Sequence, residues 1–134
     1  MRISCLLILT GLYSMAVNAD STEAHGVWST QHSEGEGYIE VTIAPCDADA
    51  SLTCGTITRA YDESGDDPNY EHLGKLIIED MKYHKGKYSG GTIWDPQSGK
   101  TYKSKMQRES ETELDVDGCI SFMCQSEHWQ LVNN

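Results

Sequence analysis

Basic residues are scarce in this chain: 10 Lys and Arg stand against 21 Asp and Glu, a formal charge of −11. Nucleic acid and anionic membrane surfaces repel such a protein, so neither is expected as a partner. Proline is scarcer, with 3 in 134 residues, and no Pro-rich tract, low-complexity run or internal repeat marks a linker. A chain of this length and evenness supports one domain. Long apolar runs are missing beyond the N-terminus, where even the longest falls short of the roughly 20 residues of a membrane span. No stretch sustains a helical period for three turns.

The familiar reaction motifs are missing as well. There is no G-x-S-x-G elbow and no H-E-x-x-H pair, and His25, His32, His72, His84 and His128 are scattered. Gly99, Lys100 and Thr101 imitate the end of a phosphate loop, but Trp94 stands where its first glycine belongs. Asp62, Glu63, Asp66 and Asp67 form an acidic loop without the ligand alternation of an EF-hand. No catalytic residue, metal or cofactor is assigned, and the chain is not read as an enzyme.

With 38% hydrophobic residues the chain can build a packed core. Residues 1–19 read as a signal peptide. Arg2 supplies the positive start, Leu6, Leu7, Ile8, Leu9 and Leu12 an apolar stretch, and Val17 and Ala19 the small residues before a cleavage site. The domain is then 20–134, beginning at Asp20, in the periplasm or outside the cell. It retains four cysteines, Cys46, Cys54, Cys119 and Cys124. An even number in an exported chain reads as disulfides, and the short intervals favour Cys46–Cys54 and Cys119–Cys124.

Short β-branched and aromatic runs alternate with Gly, Asp, Asn and Ser clusters, the pattern of an all-β sandwich or barrel. Strands are expected near 26–31, 37–45, 53–61, 74–83, 87–94, 101–108, 112–118 and 127–132. At most a helical turn fits near 69–74. Ile39, Val41 and Ile43 alternate with Glu40 and Thr42, as in a half-buried strand. A two-residue turn at Lys85 and Gly86 would pair Tyr83 with Tyr88, Met81 with Gly90 and Ile77 with Trp94, all on the interior face. Glu79 falls on that face too, where it needs a partner such as Arg59, whose strand carries Ile57 and Tyr61. A second turn at 109–111 would pair Met106 with Leu114 and Ser104 with Val116, setting Lys105 opposite Asp115 and Lys103 opposite Asp117.

One segment is distinctive: Gly90-Gly91-Thr92-Ile93-Trp94-Asp95-Pro96-Gln97-Ser98-Gly99-Lys100-Thr101-Tyr102. Together with Gly26-Val27-Trp28, Leu52-Thr53-Cys54-Gly55, Leu73-Gly74-Lys75 and the closing Cys124-Gln125-Ser126-Glu127-His128-Trp129, it resembles the secreted bacterial family known as domain of unknown function 2147. The resemblance implies a lipocalin-like, antiparallel up-and-down β-barrel of about eight strands, and no activity. The segment also has an architectural explanation. Asp95 to Gly99 reads as a capped turn, and Gly90 and Gly91 as a bend or a place that admits a neighbour such as Met81.

An eight-stranded barrel is filled by its own side chains or holds one small ligand. Trp28, Tyr83, Tyr88, Trp94, Tyr102 and Trp129 are the expected aromatic lining, with Arg59 and Glu79 as polar anchors. The favoured function is binding of a small apolar ligand. A ligand-free structural or protein-interaction role in the cell envelope is the alternative, and a hydrolytic enzyme a distant one.

Overall fold

The computed structural model describes residues 23–133. The expected leader, 1–19, lies outside the described residues. Nine strands follow in order: β1 (Gly26–Ser29), β2 (Tyr38–Pro45), β3 (Thr53–Asp62), β4 (Gly65–Asp66), β5 (Leu76–His84), β6 (Lys87–Trp94), β7 (Thr101–Arg108), β8 (Glu113–Ile120) and β9 (Met123–Asn133). No helix forms among the described residues; the stretch near 69–74 makes turns only.

Neighbours run β2-β1-β9-β8-β7-β6-β5-β3, and a β2–β3 pairing closes the ring. Every pairing is antiparallel, so the molecule is an eight-stranded up-and-down barrel with β4 as a short return on β3. Closure leaves no long unpaired edge among these strands. Disulfides join Cys46 to Cys54 across the β2–β3 connection and Cys119 to Cys124 across the β8–β9 hairpin. β8 and β9 run further than expected, because Cys119 and Cys124 are themselves a paired rung.

The first hairpin has the expected register, Tyr83 facing Tyr88 and His84 facing Lys87. Lys85 and Gly86 both take positive φ, 48° and 86°, as a primed turn requires. Its assignment of faces needs correction. β5 shifts register against β3 between Thr53, Gly55 and Thr56, and Asp80 on β5 and Gly90 on β6 both take positive φ, 58° and 78°. Such irregularities break the period of two. Ile77, Ile78 and Met81 are consequently all buried, whereas Glu79 and Tyr83 are exposed.

Arg59 moves for the same reason. β2 and β3 pair Glu40 with Arg59 but Val41 with Ile57, so Thr58 is an extra residue. Ile57 and Ala60 point to the core, and Arg59 is left exposed beside Asp66 at 3.5 Å. The second hairpin lies two residues from its expected register: Met106 faces Val116 and Ser104 faces Gly118. Its loop is longer than 109–111, with the Glu109 and Ser110 amides donating to the Glu113 carbonyl. A slip of two keeps every side chain on its face, so the core is unchanged. Lys105 now faces Asp117, and Lys103 faces Cys119.

Gly91 is where β6 passes closest to its neighbour. A Cβ there would run into the Glu79 carbonyl oxygen and come within 2.8 Å of the Met81 sulfur. Asp95 organises the β6–β7 turn: Oδ1 accepts from the Gln97 amide, Oδ2 from the Ser98 hydroxyl, and Gly99 takes φ 72°.

Candidate functional site

The two ends of the barrel are built differently. At one end the chain segment before β1 acts as a stopper. Ala24 is fully buried; its amide donates to the Tyr88 hydroxyl at 2.9 Å, and its carbonyl accepts the Trp28 indole N–H at 2.8 Å. Burial raises the Tyr88 phenol above its ordinary value. Arg108 lies over the Trp28 ring at 5.3 Å and donates to the carbonyls of Glu23, Ser110 and Glu111. Val41, Ile43, Met81, Met106 and Leu114 join the same core cluster. Trp28 and Tyr88, expected as lining, are thus packed into this closed end, and neither lines the cavity. Tyr83 lies beside Tyr88, ring centroids 4.9 Å apart, near the solvent-exposed turn.

The other end is open. A cavity of about 1460 Å³ lies among the β1–β2, β3–β5, β6–β7 and β8–β9 connections. Its apolar wall includes Ile39, Ile77, Ile93 and Val116, and three of the eight expected residues face it: Trp94, Tyr102 and Trp129. Tyr38, Tyr61 and Tyr70 add aromatic surface that the sequence reading missed. Arg59 and Glu79 take no part in it.

Trp129 is fully buried, and its indole N–H donates to Glu127 Oε2 at 3.0 Å. Glu127 shares its face of β9, stands opposite buried Val116, and lines the cavity. Trp94 is held edge-on by His72, ring centroids 4.9 Å apart, and Lys75 Nζ lies 5.7 Å from its ring centre while bonded to His72 at 2.8 Å. The Tyr70 phenol is raised first by burial and then by the charges of Glu71 and Asp95.

Outside the cavity, Glu113, Asp115 and His128 bring their ligand atoms within 4.8 Å of one another. These groups already satisfy each other, because His128 Nδ1 bonds Asp115 at 2.5 Å and Glu113 lies at 3.9 Å. The tip of the β8–β9 hairpin exposes Ile120, Phe122 and Met123, of which Ile120 and Met123 also reach the cavity rim.

The profile of a bacterial family, described as "Uncharacterized protein conserved in bacteria (DUF2147)", matches residues 26–131. No curated protein matches the sequence. Among solved structures, the barrel is similar to protein HP1028 of the human pathogen Helicobacter pylori, described as belonging to the lipocalin family. The TM-score is 0.60 at 16% identity, over 82% of this chain and 83% of that one. At that identity the likeness is one of fold.

Proposed function

The chain belongs to this bacterial family of uncharacterised proteins, and from that premise we propose that it is an exported barrel that binds a small molecule with an apolar body in its open end. One observation carries the reading. The barrel is packed at one end and hollow at the other, and the hollow, about 1460 Å³ with its mouth, exceeds the roughly 300 Å³ that ligand sites usually need. Trp94 and Tyr102 are the residues proposed to hold the ligand, with Ile93 supplying apolar contact above a buried floor of Trp129, Ile77 and Val116. Export is supported by the disulfides, which persist in oxidising compartments. Binding needs none of the nucleophile or metal chemistry that the sequence lacks.

The test is occlusion of the cavity. A Cβ at Gly118 would meet Ile93 Cγ2 at 3.6 Å and Tyr102 Cβ at 3.8 Å, ordinary contacts, so Gly118→Leu projects into the hollow without striking backbone. Native mass spectrometry of protein purified from its own cell should show a bound small molecule in the parent and none in Gly118→Leu. A parent without ligand that also leaves an apolar fluorescent probe unbound would refute the reading.

A further inference from the structure

We propose that the cavity selects cations: an organic ammonium group carried on an apolar body. The proposal rests on the cavity being a binding site and concerns its charge preference. Among the described residues, six carboxylates line the hollow, Glu36, Asp62, Glu63, Asp67, Asp95 and Glu127, and no Lys, Arg or His lines it. In a chain with ten Lys and Arg that separation is structural. β7 presents Lys103 and Lys105 at exposed positions of the barrel wall, and Arg59 is exposed beside Asp66.

Carboxylates of one sign around a concave, low-dielectric wall focus a negative potential into it. An anionic amphiphile such as a fatty acid meets that potential as repulsion, and a neutral one gains nothing from it. Five of the six carboxylates come from loops or strand ends near the mouth. Glu127 sits within β9 on the face of Trp129, where the indole N–H fixes one of its oxygens and leaves the other for a ligand.

The aromatic surface completes the match, because aromatic rings attract ammonium groups through their negative faces. Lys75 already illustrates this at the Trp94 ring, without itself lining the cavity. A bare metal ion fits less well. Among the described residues, the groups that bring three ligand atoms together are Glu113 with Asp115 and His128, and Cys46 with Cys54 and Asp80, none of them carboxylates of the cavity. Dispersed charge suits a bulky organic cation better than a point charge.

The experiment compares three probes that share one alkyl chain: octyltrimethylammonium, octanol and octyl sulfate, each titrated below its aggregation limit. Quenching of tryptophan fluorescence reports binding, since Trp94 and Trp129 face the cavity. Octyltrimethylammonium should bind at least about tenfold more tightly than octanol, and octyl sulfate least. Added salt and Glu127→Gln should each shrink that preference, while Glu79→Gln, on the exposed outer wall, should leave it intact. Near-ultraviolet circular dichroism checks that the Glu127→Gln barrel remains packed. Octanol binding as tightly as the cation would overturn the charge preference and leave the cavity site standing. Failure of all three probes would overturn the cavity reading itself.

Discussion

Gly91→Ala is the smallest change that tests the packing of the barrel. Its added methyl would clash with the Glu79 carbonyl oxygen and come within 2.9 Å of the Met81 amide nitrogen. Both are backbone atoms of the neighbouring strand and cannot rotate away, so relief requires β5 and β6 to separate. Overpacking a tight site typically costs about 1–3 kcal/mol, and a clash with ladder backbone belongs at the upper limit or beyond. For a domain of this size, about 3 kcal/mol lowers Tm by more than roughly 10 °C. Two other glycines calibrate the result. Gly90 has open space around its Cβ position but sits at φ 78°, so Gly90→Ala should cost only the left-handed penalty of about 1–2 kcal/mol. Gly118 has room and no such φ, so Gly118→Ala should fall within about 0.5 kcal/mol of the parent. Thermal melts of the three variants followed by circular dichroism give the order directly. A Gly91→Ala protein that melts within about 2 °C of the parent, or above Gly90→Ala, would refute the argument.

Two further outcomes follow from the outer wall and the hairpin tip. Hydrogen bonding to Asp115, and then its charge, hold the His128 imidazolium above the ordinary value of 6.5. The raised group contributes stability that is fully present below 6.5 and fades as pH rises through the folded value. An NMR titration should place His128 above 6.5 in the parent and nearer to it in Asp115→Asn; a parent value at or below 6.5 would contradict the contact. Replacing Cys119 and Cys124 together by Ser removes a crosslink spanning only five residues, so the loss should stay below the ~3 kcal/mol of a 15-residue loop. Urea melts check this, and a barrel already unfolded without denaturant would show that the tip disulfide does more than close a short loop.

What could be read from the sequence divides along one physical line. Features set by residues close in the chain were legible: the alternation at Ile39, Val41 and Ile43, the Lys85-Gly86 turn, the capped turn at Asp95, and both disulfides. Glycines read as admitting Met81 do so at Gly91. Features set by how two distant strands meet were not legible. The irregularities at Thr58 and around Ile77 and Asp80 depend on β2 against β3 and β3 against β5, and no local pattern announces them. Those same irregularities moved Arg59, Glu79 and Tyr83 away from their expected interior places. Glu127 had a signal, two residues before Trp129 in a strand, but a carboxylate facing inward is read as an outward one unless the hollow is known. The division of aromatics between the two ends was equally hidden, because the stopper at Ala24 reaches Tyr88 across 64 residues of sequence.

A barrel filled at one end and hollow at the other should carry a measurable tension between stability and binding, and Gly118→Leu exposes it. The hollow forgoes the burial that a filled interior would supply, about 1.5–3 kcal/mol for each fully covered Leu-sized side chain. A leucine at position 118 recovers part of that against Ile93 and Tyr102. Replacing glycine also narrows the unfolded ensemble, worth about 0.4–1 kcal/mol where the backbone tolerates it. The two gains together come to about 1–2 kcal/mol, a rise in Tm of roughly 4–8 °C. Binding should weaken in the same variant, because the new side chain occupies the ligand's volume. A retained cavity in a marginally stable domain is understandable if ligand contacts restore on binding what the empty wall leaves unused. If Gly118→Leu melts below the parent while still binding the octyl probes, the volume beside Gly118 is not the ligand's, and the hollow would need another explanation.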